Sequence, residues 1–520
     1  MLLHKKPEQK PLLIPNSERV GDSSTSLAES ADYQNIIVTW IASMIWIVAT
    51  IGISVVISPI LLIVMCVIPV GIMLLSPLAG LVMYLTVALW QNTAIGIWSP
   101  YLSPGQLTIM QGTNFLICAL FGSYCFFQLL FTKEKLPPAS HKIIVTAFIF
   151  LLLAGLYLLY GAAVNPAVTA IAYFRNFTLG LFCLAIGTYV GRSVSIETFI
   201  KVFVFLGSVV LLQACMEFFF TKFYYGIFNL HYLYAVKYGM EYVSLDDTIE
   251  QLKTVFFNSH YFRDLGITSF RILGPTFHAI SFGYLLSFFA LTFFLTRKYI
   301  LVLISIIFIL IIGTKGPAIL TIFSIGFVCL GRIGLSRSII VRLSVLISIC
   351  LTVFIFVYGY SVKDYHVLGL IGGVYNFITF PIGKGFGFGG NLSGQVGIDW
   401  LAVQIARIAP YGVESSVAVL LNQWGIIGLF YIVFLIKIWL NLLSSFKENG
   451  AEYKEQYDFS IYYFSFGFIL VNMFFQEETL SPYSLGFELL WVGFLLQYAF
   501  KPSEDDQKDE EGLLKKSTMA

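Results

Sequence analysis

Charge is scarce in this chain, and that scarcity is the first constraint on what the protein can be. Lys, Arg, Asp and Glu make up 12% of its 520 residues, against about 25% in ordinary soluble proteins. Hydrophobic residues make up 58%, and the mean hydropathy of +0.83 places the chain among polytopic membrane proteins. The net charge is only +2, and the basic residues fall in short clusters between apolar runs, so there is no basic face for nucleic acid. All seven cysteines (Cys66, Cys118, Cys125, Cys183, Cys215, Cys329 and Cys350) lie inside apolar runs, where a thiol behaves as a small hydrophobe, and none forms a CxxC pair. The chain lacks HExxH, GxSxG and GxxxxGK[ST], which leaves zinc, serine-hydrolase and ATP-driven chemistries without support. No short apolar core followed by a small-residue cleavage site opens it either. Residues 1–35 are polar, carry Lys5, Lys6, Lys10, Glu18 and Arg19, and read as a cytoplasmic tail.

What the chain has instead is long apolar runs. A membrane span needs about 20 such residues, and runs fall near 36–57, 60–75, 77–90, 113–131, 143–163, 168–190 and 199–220. After a polar interval they resume near 276–295, 299–313, 317–333, 339–358, 415–442, 459–475 and 484–500. The expected fold is an all-α polytopic integral membrane protein with a transmembrane domain over 36–500 and about fourteen helices, or about twelve if Pro59, Pro69 and Pro77 kink fewer spans within 36–90. With fourteen spans the clusters Lys133, Lys135 and Lys142, then Arg192, then Arg297 and Lys298, then Arg332, Arg337 and Arg342, then Lys447 and Lys454 all fall on one side. By the positive-inside rule that side is cytoplasmic, as are both termini, including the acidic tail 501–520.

Two outer loops are long enough to carry chemistry. The first, 221–275, holds Glu241, Asp246, Asp247, Glu250, Lys253, Arg263 and Asp264, and the spacing in SLDDTIEQLKTVFF predicts an amphipathic helix on the outer face. Asp246 and Asp247 suit either a divalent ion or a solvated helix face, and the solvated face is the stronger reading. The second, 359–413, holds Lys363, Asp364, Lys384, Asp399 and Arg407. Its PIGKGFGFGGN stretch is either a flexible turn or a cradle of backbone N–H groups for an oxyanion, and DWLAVQIARIA predicts another surface helix. Outer-loop aromatics such as Tyr365, Tyr375, Trp400 and Tyr411 present flat rings on which a ligand could stack.

Three charged residues stand at predicted outward helix ends: Arg271 in SFRILGPTFHAISFG, Lys315 in IIGTKGPAIL, and Glu414 in PYGVESSVAVLLNQWGIIGL. A cation at the centre of a span costs roughly 2.5 to 3.5 kcal/mol on insertion scales, so outward-facing cations call for a partner, and an anionic substrate is one. Arg175, inside its span in AYFRNFTLG, is either a further phosphate contact or half of a buried pair, with Glu217 as the candidate partner.

The order of these pieces resembles the O-antigen ligase and polymerase superfamily. Arg271 to Gly274 opens a span, Lys315 to Gly316 forms an outward hairpin, Gly385 to Gly390 holds FGFG in a long outer loop, and Glu414 to Leu429 ends in GIIGL. The resemblance covers roughly the second half of the chain; the first half matches only as a series of spans. It implies a C-type glycosyltransferase fold and inverting, metal-independent glycosyl transfer without a cofactor, on the outer face of a bacterial inner membrane. The donor it implies is a polyprenyl-diphosphate-linked oligosaccharide, with membrane lipid, a flippase and a chain-length regulator as partners. Lys315 stands where Arg is typical, and supplies a point charge rather than a bidentate fork. Glu414 stands where the ligases carry His, which favours a polymerase of repeat units over a ligase to lipid or protein.

On that reading Arg271 is the main diphosphate clamp, Lys315 and Arg175 are further contacts, and Arg407 is either a third contact or the partner of Glu414. Glu414 is the general base for the attacking sugar hydroxyl. His278 and Lys384 are additional candidates. The bland alternatives are a helix-end anchor for Arg271, snorkelling for Lys315, a macrodipole carboxylate for Glu414 and a hydrogen-bonded core residue for His278. A transporter or flippase of lipid-linked sugars is the competing class, disfavoured because residues 36–220 and 276–500 show no repeat.

Overall fold

The computed structural model describes residues 23–131, 136–240, 243–256, 264–393, 398–448 and 454–499. Residues 1–22 and 500–520 of the tails, with Lys5, Lys6, Lys10, Glu18 and Arg19, lie outside the described residues, as do Lys133, Lys135, Glu241 and Arg263.

The first half contains α1 (Ser23–Val56), α2 (Ile60–Met65), α3 (Val67–Leu75), α4 (Pro77–Trp98), α5 (Pro104–Gln111), α6 (Thr113–Phe131), α7 (Pro138–Val164), α8 (Ala167–Ser193) and α9 (Ile196–Phe219). Their limits follow local chemistry. Pro77, Pro104 and Pro138 sit in first turns, where a missing N–H is harmless. Ser76 and Ser195 accept hydrogen bonds from the N–H groups of Ala79 and Thr198, and Ser103 forms a capping box with Gln106. The prolines that left 36–90 open act as separators: Pro59 precedes α2, Pro69 lies in the first turns of α3, and Pro77 opens α4.

The second half contains α13 (Ala279–Leu295), α14 (Tyr299–Ile312), α15 (Lys315–Arg332), α16 (Arg337–Ser361), α17 (Tyr365–Thr379), α18 (Trp400–Ala406), α19 (Ser416–Glu448), α20 (Lys454–Met473) and α21 (Phe487–Ala499). Among the described residues nine helices are long and apolar enough to cross a membrane, and three shorter apolar helices, Ile60–Leu75, Ala279–Leu295 and Tyr299–Ile312, accompany them. The protein is thus a multi-pass helical membrane protein. α4 and α8 are mostly buried, whereas α7 and α16 turn most of their apolar surface outward.

Between the halves lie α10 (Thr221–Ile227), α11 (Leu230–Tyr238) and α12 (Leu245–Gln251). The helix predicted across SLDDTIEQLKTVFF stops at Gln251. Lys253–Val255 then forms β1, paired antiparallel with β2 (Thr268–Phe270), so β-pairing takes the Thr254 and Val255 segment from the helix. Asp246 pairs with Lys222 at 2.7 Å, and the Asp247 carboxylate accepts from Ser244 Oγ at 2.5 Å, so both acids are engaged with the protein.

The second predicted outer loop, 359–413, contains the helices α17 and α18, and its first part packs on α19. α17 packs lengthwise on the first part of α19, close enough that a Cβ at Gly369 would lie 2.0 Å from the Val413 carbonyl oxygen and one at Gly373 would lie 2.5 Å from Ala418 Cα. The chain then turns at Pro381–Gly385 and returns. At the turn, the N–H groups of Lys384 and Gly385 donate to the carbonyls of Asn422 (2.9 Å) and Gln423 (3.1 Å), and Ile426 N–H donates to Pro381 O (2.8 Å). The α19 groups are free for this because Gly425 breaks the helix with φ 58° and ψ −133°. Gly425 lies about nine residues into α19, or roughly 14 Å at ~1.5 Å per residue, which is near half of a ~30 Å hydrocarbon core. Residues 365–393 thus read as a re-entrant hairpin packed on a broken helix, an arrangement in which irregular backbone is tolerated because protein covers it.

A polar cavity among the helix ends

Where the last turns of α4, the start of α6, the first part of α8, α11, the His278 turn, the return limb of the hairpin and the 477–483 segment meet, they enclose a cavity of about 290 Å³. Its basic and acidic lining residues are Arg175, Lys237, Glu477 and Glu478, joined by His278.

The two cations have no carboxylate partner among the described residues. Arg175 is half-buried on α8, and its Nε reaches only Asn176 Oδ1, at 3.5 Å. Lys237 is exposed in the last turn of α11, with its Nζ 5.3 Å from the ring centroid of Tyr238 and 6.0 Å from that of Tyr234. His278 is the N-cap of α13. Its Nδ1 accepts the Ser281 N–H at 3.3 Å, which assigns the ring proton to Nε2. His278 is exposed to the cavity, yet the protein packed around it, followed by the charges of Lys237 and Arg271, pushes its pKa down to about 4.

The carboxylates come from the short helix Glu477–Leu480 between α20 and α21. Glu477 is buried and fully engaged: Oε1 accepts from Tyr173 OH at 2.7 Å and Oε2 from Asn391 N–H at 2.8 Å. It clasps the return limb of the hairpin, and burial pushes its pKa up to about 8. Glu478 is half-buried. Burial raises its pKa, the neighbouring Glu414 raises it further, and His366 and Asn391 offset part of the rise. Such a carboxylate is a better proton acceptor than an exposed one.

The residues singled out from sequence are dispersed around this cavity. Arg175 and His278 line it. Arg271 is half-buried beside it: its charge acts on His278, its Nε is buried without a hydrogen-bond partner, and it is not a lining residue. The turn between Arg271 and His278 is held by Glu217, which accepts the N–H groups of Leu273 (2.6 Å) and Gly274 (2.7 Å) together with Tyr225 OH. Those bonds occupy Glu217, so it does not pair with Arg175. Glu414 has φ 57° and donates its N–H to Asn391 Oδ1 at 3.3 Å, while its carboxylate lies 3.7 Å from His366 Nδ1. It adjoins the cavity through Asn391 without lining it.

Lys315 is exposed at the start of α15, where the adjacent Gly316 packs against Gln476 and Tyr284. Arg407 is exposed and lies 5.2 Å over the Tyr360 ring; Glu414 has His366 as its partner instead. Lys384 closes the hairpin, with Nζ 3.2 Å from Asn376 Oδ1 and over the rings of Phe380 and Phe388. The glycine-rich stretch spends much of its backbone on bonds to the protein itself. The N–H groups of Lys384, Gly385, Gly387, Asn391 and Leu392 donate to Asn422 O, Gln423 O, Gln423 Oε1, Glu477 and Tyr173 respectively.

Sequence reasoning passed over Lys237, Glu477 and Glu478. The signal for the acids was present: an adjacent pair in FFQEETLSP, between two apolar runs, in a chain with little charge. Lys237 carried none, because its neighbours in the cavity are remote in sequence. Set against family models, curated proteins and solved structures, the chain matches none of them. Fold and site together define a multi-pass helical membrane protein with a polar cavity among its helix ends.

Proposed function

We propose that the protein is a glycosyltransferase of the polysaccharide-polymerase type, acting on polyprenyl-diphosphate-linked oligosaccharide repeat units at the outer face of a bacterial inner membrane. The observation that carries this reading is the cavity itself, in which Arg175 and Lys237, without carboxylate partners among the described residues, share one space with the proton-accepting Glu478.

In this reaction an acceptor hydroxyl attacks the anomeric carbon of the donor sugar, a new C–O bond forms, and the bond to the diphosphate breaks. The polyprenyl diphosphate leaves with the bonding electrons. Arg175 and Lys237 stabilise the charge that grows on it, and Arg271 adds to the same field from outside the lining. Glu478 takes the hydroxyl proton, and Glu414 keeps its basicity high. His278, neutral, contributes a hydrogen-bond donor through Nε2.

Sidedness supports the same reading. Counting α2 with α3 as one crossing, and leaving out α5, the short outer helices and the re-entrant α17, the chain makes about fourteen crossings of the bilayer. Arg192, Arg297, Lys298, Arg332 and Lys447 then sit at the ends remote from the cavity, so the positive-inside rule assigns the cavity to the outer face.

The test is the glycan profile of cells carrying wild type, a deletion, Arg175→Ala or Glu478→Gln at equal membrane levels. Loss of long polymer with single repeats still outside supports the polymerase. Normal polymer in both variants removes the cavity from the reaction. A deletion that strands all repeats inside indicates a flippase, and full-length polymer that fails to reach its lipid or protein acceptor indicates a ligase.

A further inference from the structure

The charged wall of the cavity suits a diphosphate, but another part of the lining does not. It is neutral and rich in carboxamides: Asn92, Gln111, Asn114 and Asn176, with Ser481 beside them. Asn92 is oriented by the protein, since its Nδ2 donates to Thr276 O at 2.6 Å, and its Oδ1 has no partner among the described residues. Asn114 Oδ1 and Ser481 Oγ are buried without hydrogen-bond partners. The last torsion of an Asn is soft, so a small turn presents Asn114 to the cavity it lines. Gln91 fixes this wall in place, donating to Met110 O at 2.8 Å and accepting the Asn114 N–H at 2.7 Å.

The Ser481 hydroxyl can donate or accept, but the unpaired amide oxygens of Asn92 and Asn114 only accept, and they identify the class of group they need. Phosphate and carboxylate oxygens are themselves acceptors and leave such atoms unsatisfied, whereas a hydroxyl or acetamido N–H satisfies them. The volume points the same way. At about 290 Å³ the cavity lies near the lower end of ligand pockets, which span roughly 300 to 1,000 Å³, and it suits one sugar ring beside a phosphate better than an oligosaccharide.

We propose that Asn92, Gln111, Asn114, Asn176 and Ser481 form the subsite for the first sugar, the one bonded to the diphosphate, and that this sugar is a neutral, hydroxyl-rich pyranose. The inference rests on the diphosphate reading of Arg175 and Lys237, and the experiment separates the two. The purified full chain in lipid nanodiscs is titrated with a short polyprenyl diphosphate and with its glucose, galactose, N-acetylglucosamine and N-acetylgalactosamine derivatives. At least one glycosylated probe is expected to bind about tenfold or more tighter than the bare diphosphate, the effect of one or two well-placed hydrogen bonds. Gln111→Ala or Asn92→Ala removes that advantage and leaves binding of the bare probe unchanged. If no glycosylated probe binds wild type more tightly than the bare one, the sugar subsite is wrong. If Arg175→Ala leaves binding of the bare probe unchanged, the diphosphate reading fails and the inference falls with it.

Discussion

Two regions of this protein carry polar groups deep among apolar helices, and they treat them in opposite ways. In the re-entrant hairpin many polar groups engage one another: Lys384 lies on Asn376 and two phenyl rings, and the N–H groups of Lys384 and Gly385 bond to the carbonyls freed by Gly425. In the cavity, among the described residues, the cations lack carboxylate partners, and Asn114 and Ser481 keep unpaired oxygens. Desolvated polar groups cost free energy unless paired. A region that pairs them is built to hold together, while one that leaves them open is built to receive something. A cation among apolar helices does not by itself distinguish the two, because Lys384 and Arg175 are both only partly exposed.

The comparison breaks first at Glu478. Glu478→Gln should lower transfer about 10²- to 10⁴-fold, the usual contribution of a general base, with folded protein unchanged in the membrane; near-normal polymer from that variant would assign the base elsewhere. Arg175→Ala follows, with a loss of about 10²- to 10³-fold if it stabilises the leaving diphosphate. Full turnover by this variant in a reconstituted assay with lipid-linked repeats would make Arg175 a structural residue, like Lys384.

The hairpin should respond in stability instead. Gly425→Ala places a Cβ 2.2 Å from Pro381 O at a positive φ, and should cost about 1 to 3 kcal/mol or more, seen as a lower melting temperature in detergent. Lys384→Met removes only the cation–π and amide contacts, about 1 kcal/mol, and should leave the transfer rate intact. A large loss of rate at normal stability would move Lys384 into the functional set.

The smallest effect is one of pH. Glu478 acts ionised and its pKa lies above the ordinary carboxylate range through burial and Glu414, so activity should rise with pH through that raised value. Glu414→Gln should shift this limb to lower pH without abolishing turnover. Glu477 supplies the stability counterpart. Its folded pKa of about 8 exceeds the ordinary carboxylate value, so the folded state holds the proton more tightly than the unfolded state. Stability should therefore fall as pH rises toward 8, and Glu477→Gln should flatten the dependence.

The helices were legible because about 20 apolar residues in a row admit few alternatives. Most limits were close, although α1 begins at Ser23, in what reads as a polar tail, and the run at 276 becomes a helix only at Ala279, after a turn held by Glu217. The hairpin was not legible. In sequence, Gly369, Gly373 and the PIGKGFGFGGN stretch look like loop material, and only the partner helix shows that the glycines serve close packing at depth. For the site, Arg175 and His278 could be picked out because each is a polar residue within an apolar run. Lys237 could not, because it reaches the cavity from a short helix packed on α4 and α5, and its charge acts on His278, about forty residues further along the chain.

The break at Gly425 also has a consequence for how the molecule is made. Residues 365–393 leave the ribosome before α19, yet the N–H groups of Lys384 and Gly385 at the turn find their partners on α19. Until those later residues arrive, the turn carries unpaired N–H groups that lipid cannot satisfy. The hairpin therefore waits at the bilayer surface or in the shelter of the insertion machinery, and enters as α19 does. Maturation of this half of the protein is a concerted step in which two segments are threaded together, and a chain truncated before residue 426 should remain accessible to protease at the hairpin.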